Sequence, residues 1–384
     1  MSETTAKVRE SLARRYRQEK RFQAYGILSI GVGLLALLIL FTDIIGKGHS
    51  AFFEHYIKLE ISLDRDVLGV DDASDDEQLN YANFGGVIKE ALRERFPGVD
   101  DRQQQRLLYD LVSSGASYNL RDELKADPGL LGGTRELWLL ADDDVDLYLK
   151  TSQKNRPEAR LDDQQKQWIE DLEAAGDTDK RFNASFFSHG DSREPELAGI
   201  GSAIVGSFFT MIVTLCLSFP IGVAAAIYLE EFAPRNKFTD FIEVNINNLA
   251  AVPSIIFGLL GLAIFINVFG LPRSVPLLGG LVLTLMTLPT IIITSRAAIK
   301  TVPPSVREGA LALGASKMQV VLHHVLPLAL PGMLTGSIIG MAQALGETAP
   351  LLLIGMVAFI VDIPGGPTDP ATVLPVQIYL WADS

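Results

Sequence analysis

The first apolar segment of the chain lies close to its N-terminus. Residues 1–23 are polar and basic, and an uncharged apolar run follows from Ala24 to Phe41. A helix needs about 20 apolar residues to cross a bilayer, whereas the core of a cleaved signal peptide usually has about 7–15. The pattern therefore predicts a retained first transmembrane helix at 24–45, preceded by a basic tail.

The second half of the chain contains most of the other apolar residues. Pro220 predicts a kink in the first of these runs. A shorter run, Pro350–Val361, is predicted to dip into the membrane or to pack on protein. With the first helix, the pattern predicts five spans, the other four being Gly199–Leu229, Leu249–Phe269, Val275–Thr294 and Leu328–Gly346.

The segment between these apolar regions, residues 46–197, is hydrophilic and long enough to form its own core. Apolar and polar residues alternate from Tyr56 to Leu63, as in a half-buried strand. Apolar residues recur at helical spacing in Phe84–Phe96, Gln103–Leu111 and Gln164–Leu172. The pattern predicts a folded α+β domain inserted after the first transmembrane helix.

The negative charge of the chain is concentrated in this inserted domain. The whole chain has a net charge of −13, yet residues 48–196 alone contain 33 acidic and 18 basic residues. Nucleic-acid-binding proteins present basic patches, so the acidic balance argues against such a partner. The single cysteine, Cys216, excludes an intramolecular disulfide and a cysteine zinc site.

Three acidic runs consist of residue types that bind metals. They lack the Gly and the terminal Glu of a calcium loop, and charge runs usually form a solvated face. We therefore predict no metal site at Asp71-Asp72, Asp75-Asp76-Glu77 or Asp142-Asp143-Asp144.

The basic residues predict the orientation in the membrane, because Lys and Arg are concentrated in cytoplasmic loops. If the spans alternate, thirteen basic residues in the tail and in the loops after the second and fourth spans fall on one side. The short loop on the other side contains Arg273. We expect a multi-pass membrane protein with a cytoplasmic N-terminus and the acidic domain outside.

The loop after the fourth span is predicted to be structured. Pro303, Pro304 and Ser305 precede a helical run, and Glu308 follows Ser305 by three residues, as in a capping box. Such an element can be a rigid lever for a soluble partner or an amphipathic helix on the lipid headgroups. The spacing of apolar residues is compatible with both interpretations.

Motifs in this loop and its flanks resemble those of ABC-importer permeases. The loop follows the spacing of the family's EAA motif, with Gly309 in place of an Ala and His324 in place of an Ile. The matching residues are Glu308, Gly309, Ala310, Gly314, Leu326 and Pro327. Flanking segments are similar to the PstA-type permease of the phosphate-specific transporter: NLAAVPSIIFGLLGLAIF (248–265), SVREGALALGASK (305–317), LPGMLTG (330–336) and GETAPLLL (346–353).

The resemblance covers roughly residues 195–384 and implies an α-helical polytopic protein of the bacterial inner (plasma) membrane with the type I ABC-importer permease fold in 198–384. Residues 46–197 resemble the extra extracytoplasmic domain of long-form members. The implied function is that of the permease subunit of an ATP-driven importer of inorganic phosphate, whose coupling loop at 303–327 docks on an ATPase. The implied partners are a second permease of PstC type, two ATPase subunits of PstB type, a periplasmic binding protein of PstS type and the lipid bilayer.

The resemblance also implies candidates for the translocation pathway. Many members have arginines at the two positions where this chain has Ile293 and Gln343. An anion path through lipid needs cationic groups or hydrogen-bond donors. The candidates near the predicted path are Arg296, Gln343, Glu347 and Thr348.

Two further features follow from the same segments. Gly332, Gly336 and Gly340 recur every four residues, which lets helices approach closely in lipid. We expect them to pack within this subunit, contact with a second permease being the alternative. Family members continue into another span after the segment equivalent to Gln377–Ala382, and this sequence ends at Ser384, so that last helix is expected to be absent from it. The alternatives are a truncated sequence and a C-terminus that lies outside.

The sequence favours a transport subunit that is not itself an enzyme. It contains no P-loop motif and no grouped nucleophile, histidine and carboxylate. ATP is expected on the partner ATPase, with no cofactor bound by this chain. The alternatives are a permease for another oxyanion, such as molybdate or sulfate, and a membrane receptor with an external sensor domain.

Overall fold

The computed structural model describes residues 3–151 and 160–383; residues 1–2, residues 152–159 within the predicted external domain, and Ser384 lie outside the described residues. The chain forms two compact units that divide between Asn183 and Ala184. Each unit has its own hydrophobic core.

The N-terminal unit begins with one long helix, α1 (Glu3–Gly48), which includes both the predicted basic tail and the predicted first transmembrane helix. The segment Arg14–Phe52 is long and apolar enough to cross a membrane. Its apolar side chains, such as Leu34 and Leu38, are exposed. A helix satisfies its own backbone hydrogen bonds, so α1 has the form that a lipid-facing anchor requires.

The rest of the N-terminal unit is built on a three-stranded antiparallel sheet. The central strand β1 (Phe53–Ser62) lies between β2 (Thr134–Leu140) and β3 (Thr178–Phe182). Lys58 of β1 is paired with Trp138 of β2. The strand that the alternating pattern predicted is confirmed as the central one.

Helices pack on one face of this sheet. They are α2 (Arg65–Leu68), α3 (Asp76–Tyr81), α4 (Phe84–Arg95), α5 (Arg102–Tyr109), α6 (Ala116–Ala126), α7 (Asp143–Lys150) and α8 (Asp163–Ala175). Ile57, Leu59 and Ile61, which share one face of β1, are buried with Leu92 of α4 and Ile169 of α8. The three predicted helices correspond to α4, α5 and α8, and the predicted α+β domain is confirmed.

Two of the three acidic runs of this domain, Asp75-Asp76-Glu77 and Asp142-Asp143-Asp144, lie at helix N-termini. Asp75 accepts hydrogen bonds from the backbone N–H groups of Glu77 and Gln78 at the start of α3. Asp142 accepts one from the N–H of Asp144 at the start of α7. A carboxylate at this position satisfies free N–H groups and complements the helix dipole. Capping explains why acidic residues are grouped there.

The C-terminal unit consists mainly of helices: α9 (Ser185–Ser188), α10 (Gly201–Ile227), α11 (Lys237–Ala250), α12 (Ser254–Leu260), α13 (Pro276–Thr301), α14 (Pro304–Ala312), α15 (Lys317–Val320), α16 (Leu326–Gly346), α17 (Ala349–Leu353) and α18 (Leu374–Asp383). Three segments are long and apolar enough to span a membrane, namely Gly201–Phe232, Pro276–Thr301 and Lys317–Gly346. They correspond to the predicted second, fourth and fifth spans.

The predicted span Leu249–Phe269 is not one straight helix, and its crossing of the membrane stays a prediction. α11 and the segment Ser254–Ile266 meet at an angle of 105°. Pro253 lies at the break, because proline has no N–H to extend α11 and disfavours helical conformation in the residue before it. The bent pair is a broken span or a re-entrant loop, and the described residues provide four or five spans accordingly.

Residues 184–197, which the sequence assigned to the external domain, belong to the C-terminal unit. The backbone N–H of Asp191 donates to the carbonyl of Ile360 (2.8 Å). The indole Nε1 of Trp381 donates to Oδ1 of Asp191 (3.2 Å). These contacts join the segment before α10 to the segments around α18.

Candidate functional site

The predicted coupling loop begins with α14, and its N-terminus differs from the prediction. Pro303 is the N-cap residue, Pro304 is the first helical residue, and no side chain caps this end. The predicted capping box of Ser305 and Glu308 is therefore wrong. The first N–H groups of a helix have no internal partner, so Pro304 fits the first position, and its fixed φ angle starts the helix two residues earlier.

α14 ends in a Schellman motif around Gly314. Gly314 has a φ angle of +88°, in the left-handed region. Its N–H donates to the carbonyl of Leu311 (2.9 Å), and the N–H of Ala315 donates to the carbonyl of Ala310 (3.1 Å). This motif satisfies the last carbonyls of the helix and requires a residue that tolerates positive φ. The glycine of the EAA motif thus determines where the chain reverses.

The segment after Gly314 leads directly into the last long span. Ser316 and Gln319 form a capping box at the start of α15. A π-helical turn, Val321–Val325, joins α15 to α16. Sequence reasoning placed a capping box on the wrong helix, although Ser316 followed by Gln319 shows the same spacing.

The inner side of α14 belongs to a core shared with three long helices. Val306 packs against this core, and Ala310 is buried in it. The other residues of this core come from α10, the end of α13 and the start of α16, and include Ala226, Ala298, Ile299, Val302, Val325, Ala329 and Met333. α14 is therefore held on the ends of the helices that are long enough to span the membrane.

The outer side of α14 and of the loop after it is exposed and partly apolar. Glu308 and Gly309 of the EAA motif are exposed. Leu311 and Met318 are exposed as well, and Leu313 is 92% exposed. Exposed apolar side chains grouped in this way mark a surface for a protein partner or a membrane. The sequence reasoning missed Leu313, and its position just before the helix-ending glycine was the available signal.

The other motif residues lie at the start of α16. Leu326 is half-buried against the shared core, and Pro327 is exposed in the first turn of α16. Proline is suited to this first turn, where its missing N–H removes no helical hydrogen bond.

Arg296, one of the pathway candidates, is bound by carboxylates. Its Nη2 donates to Oε1 of Glu243 (2.7 Å), and its Nε lies 3.5 Å from Oε2 of Glu230. The side chain of Arg296 is 14% exposed. Its charge is therefore neutralised within the C-terminal unit, which leaves it poorly suited to attract an anion.

The remaining pathway candidates lie around the end of α16. Gln343 is exposed, and Glu347 and Thr348 are half-buried in the break between α16 and α17. Within residues 3–151 and 160–383, no hydrogen bond to these three side chains is formed. Non-helical backbone at membrane depth is tolerated where it is buried in protein or lines a water-filled cavity. The three candidates therefore lie on one short stretch of chain around this break.

The glycine row of α16 faces α13. A Cβ atom on Gly332 would lie 2.8 Å from the Cβ of Ala298, and one on Gly336 would overlap with the side chain of Thr294. Gly340 has more room, with its nearest neighbours 3.9 Å away. The first two glycines thus allow close packing within this chain.

One acidic group has the geometry of a cation site. Carboxylate oxygens of Asp142, Asp143 and Asp144 lie within 4.8 Å of one another. These residues are the N-cap and first turn of α7, where carboxylates stabilise a helix without a cation.

Two family models match the chain. Residues 218–365 match the family described as "Binding-protein-dependent transport system inner membrane component". Residues 9–158 match a domain of unknown function, DUF3333. The first match contains α14, and the second contains most of the N-terminal unit.

Curated relatives are similar to about half of the chain or somewhat less. The probable ABC transporter permease protein YqgI of Bacillus subtilis is 36% identical over 154 residues, which are 40% of this chain and 52% of that protein. The phosphate transport system permease protein PstA of Haemophilus influenzae is 31% identical over 203 residues, 53% of this chain and 71% of that protein. PstC of the same organism is 33% identical over 201 residues, and the match covers 46% of this chain and 63% of that protein. The chain thus spans between about half and just over two thirds of these relatives.

Proposed function

This chain belongs to the family of binding-protein-dependent transport system inner membrane components, and we propose that it is the permease subunit of an ATP-driven importer of inorganic phosphate. The observation that carries the proposal is α14, a short helix fixed on the ends of three long apolar helices with an exposed, partly apolar outer side. The similarity to the PstA protein of Haemophilus influenzae supports phosphate as the substrate.

The orientation that we propose places the N-terminus, α14 and the exposed Leu313 in the cytoplasm, which requires the bent pair of α11 and Ser254–Ile266 to cross the membrane as a broken span. The excess of Lys and Arg on that side supports it. The acidic α+β domain then lies outside the inner membrane. The acidic charge of that domain repels free phosphate, so we place the domain away from the anion path.

The proposed mechanism uses α14 as a lever. A cytoplasmic ATPase of PstB type docks on the outer side of α14, and its closure on ATP moves this helix. Because Val306 and Ala310 pack in the shared core, the motion is transmitted to α10, α13 and α16. These helices, with a second permease of PstC type, then open toward a PstS-type binding protein that delivers phosphate. This chain transports, and ATP is hydrolysed on the partner.

We propose that the anion path passes Gln343 and Thr348. An amide and a hydroxyl donate hydrogen bonds without the cost of an unpaired charge in hydrocarbon. Glu347, beside them, is a candidate for a proton-linked or gating contact. Arg296 is left out of the path, because Glu230 and Glu243 already bind it.

The experiment is uptake of radiolabelled phosphate by phosphate-starved cells with and without this gene. Sulfate and molybdate are added separately in excess as competitors. We expect uptake to require the gene and to be unaffected by either competitor. Unchanged uptake without the gene, in a strain that lacks other phosphate importers, contradicts the proposal. Inhibition by molybdate or sulfate identifies a permease for another oxyanion.

A further inference from the structure

The long segment Gly201–Phe232 ends in a π-helical turn, Tyr228–Phe232, which we name the anchor turn. Such turns widen a helix locally and frequently occur at functional sites. Successive helical residues point about 100° apart. The last three residues, Glu230, Glu231 and Phe232, therefore reach different neighbours, and each contacts a basic side chain.

The contact of Glu231 is with Arg307 of α14. Arg307 donates from Nε (3.0 Å) and from Nη2 (2.8 Å) to Oε1 of Glu231. The same guanidinium donates from Nη1 to the carbonyl of Val302 (2.7 Å) and from Nη2 to the carbonyl of Ile299 (3.0 Å). One side chain therefore joins α14 to the anchor turn and to the C-terminal end of α13.

Both members of this pair are shielded from water. The side chain of Glu231 is 11% exposed and that of Arg307 is 23% exposed. Hydrogen bonds between charged groups are stronger than neutral ones, and low exposure reduces their screening. The planar guanidinium can bind one carboxylate and two carbonyls together, whereas a lysine ammonium lacks this fixed geometry.

The other two residues of the anchor turn contact different segments. Glu230 lies 3.5 Å from Arg296 and 3.5 Å from Lys300, both on α13. The ammonium of Lys317, in α15, lies 5.0 Å from the ring centroid of Phe232. Among the ion pairs of the described residues, the one between Glu231 and Arg307 is the link from the anchor turn to α14.

We propose that Glu231 and Arg307 are positioning residues that fix α14 to the membrane helices, so that movement of α14 drives transport. This inference rests on the proposed function, because it requires an ATPase that moves α14. The apolar core beneath α14 resists separation of the helices. Hydrophobic contacts are non-directional, however, so they do not fix the orientation of α14. The hydrogen bonds of the ion pair fix the orientation of α14 relative to α10 and α13. Without it, α14 can tilt when pushed and the motion is lost.

The test compares Glu231→Gln and Arg307→Lys with wild type. Glu231→Gln keeps the shape of the side chain and removes its charge. Arg307→Lys keeps the positive charge and removes the planar guanidinium. Lys300→Gln is the matched control, because it removes a basic partner of the same turn without touching α14. Each complex, purified with its second permease and ATPase, is placed in proteoliposomes with the binding protein. Phosphate imported and ATP hydrolysed are measured together.

We expect both variants to hydrolyse ATP while phosphate imported per ATP falls by about tenfold, within the range of typical coupling free energies. Lys300→Gln is expected to stay close to wild type. If both variants keep the wild-type ratio, or lose import and hydrolysis in equal proportion, the pair is merely structural and the inference is overturned. If the Glu231→Gln complex does not assemble, the phosphate imported per ATP by Arg307→Lys decides the test.

Wild type is measured first, so that the two proposals are separated. A wild-type complex that hydrolyses ATP without importing phosphate contradicts the proposed function. Normal wild-type import together with an unchanged ratio in the variants contradicts only the positioning role of Glu231 and Arg307.

Discussion

Arg307 and Glu308 are consecutive residues of α14 with opposite surroundings: Arg307 is bound to Glu231 and to two carbonyls, whereas Glu308 is exposed. The helix therefore has one side that is fixed to the C-terminal unit and one that is presented outward. The sequence pattern of α14 is compatible with two interpretations, a rigid lever and an amphipathic helix on the lipid headgroups. The ion pair and the packing of Ala310 favour the lever, since a helix lying on headgroups does not need them.

The turn after α14 provides the first prediction. A residue other than glycine in the left-handed conformation costs roughly 1–2 kcal/mol, and the cost is highest for β-branched residues and lowest for Asn. Space is open around Gly314, so only the backbone restricts substitution. We expect Gly314→Val to reduce phosphate uptake by about tenfold or more and Gly314→Asn to retain most of it.

The control for this pair of variants is the amount of protein in the membrane, measured by quantitative immunoblotting. Equal amounts of both variants are expected, because the turn lies outside the long spans. Equal uptake by the Val and Asn variants contradicts the role assigned to the positive φ angle of Gly314.

The glycine row of α16 provides the second prediction. We expect Gly336→Ala to destabilise the protein by roughly 1–3 kcal/mol, because its methyl group would overlap with Thr294. Gly340→Ala should be neutral or slightly stabilising, since its nearest neighbours are 3.9 Å away and Ala favours helix. Thermal unfolding of the detergent-solubilised protein measures both. If Gly340→Ala destabilises the protein more than Gly336→Ala does, α16 and α13 do not pack as described.

The third prediction concerns Glu54 of β1. Burial raises the pKa of its carboxyl above the ordinary 4.5, and the negative charge of Asp146 adds to this, although the Tyr56 hydroxyl and Lys150 oppose it. Tyr56 donates to Oε1 of Glu54 (2.8 Å), and Oε2 has no partner among the described residues. Ionised Glu54 is therefore destabilising in the folded domain.

The sign of the pH effect follows from proton binding. Above about pH 4.5 the unfolded chain loses the Glu54 proton while the folded domain keeps it, so stability falls as pH rises toward the raised pKa. Glu54→Gln removes this dependence and keeps an acceptor for Tyr56. We expect the variant to protect β1 amides from hydrogen exchange more than wild type does at neutral pH and equally at about pH 4. A larger gain in amide protection at about pH 4 than at neutral pH contradicts the raised pKa of Glu54.

The fourth prediction concerns the anion path at Gln343. Gln343→Leu removes a hydrogen-bond donor, and Gln343→Glu also adds a negative charge that repels phosphate. We therefore expect phosphate uptake to decrease from wild type to the Leu variant and further to the Glu variant, at equal amounts in the membrane. Uptake by the Glu variant equal to that of wild type would place the path elsewhere.

Local patterns made much of the fold predictable. The alternation around Tyr56 identified the central strand, and the long apolar runs identified α1, α10, α13 and α16, because both signals depend on neighbouring residues. The break at Pro253 was missed, since it lies inside an apolar run whose hydropathy does not change. The start of α14 was misplaced because Ser305 resembles a cap, while Pro304 determines the start.

The contacts that define the site could not be read from the sequence. Glu231 and Arg307 are 76 residues apart, and no periodicity connects them. Arg296 looked like an available cation because Glu243 and Glu230 reach it only through the packing of α10, α11 and α13. Leu313 was not singled out from the sequence, and the Schellman turn places it outside.

The most direct test of the account is uptake of radiolabelled phosphate by phosphate-starved cells that express Leu313→Glu, with ATPase copurification measured on membranes from the same cells. Leu313→Met is the control, because it keeps an apolar side chain at the same exposed position. The account predicts that the Glu variant inserts normally but loses both the ATPase and phosphate uptake, while the Met variant retains both. Normal uptake and normal ATPase binding by Leu313→Glu would contradict the claim that the outer side of α14 couples this chain to an ATPase.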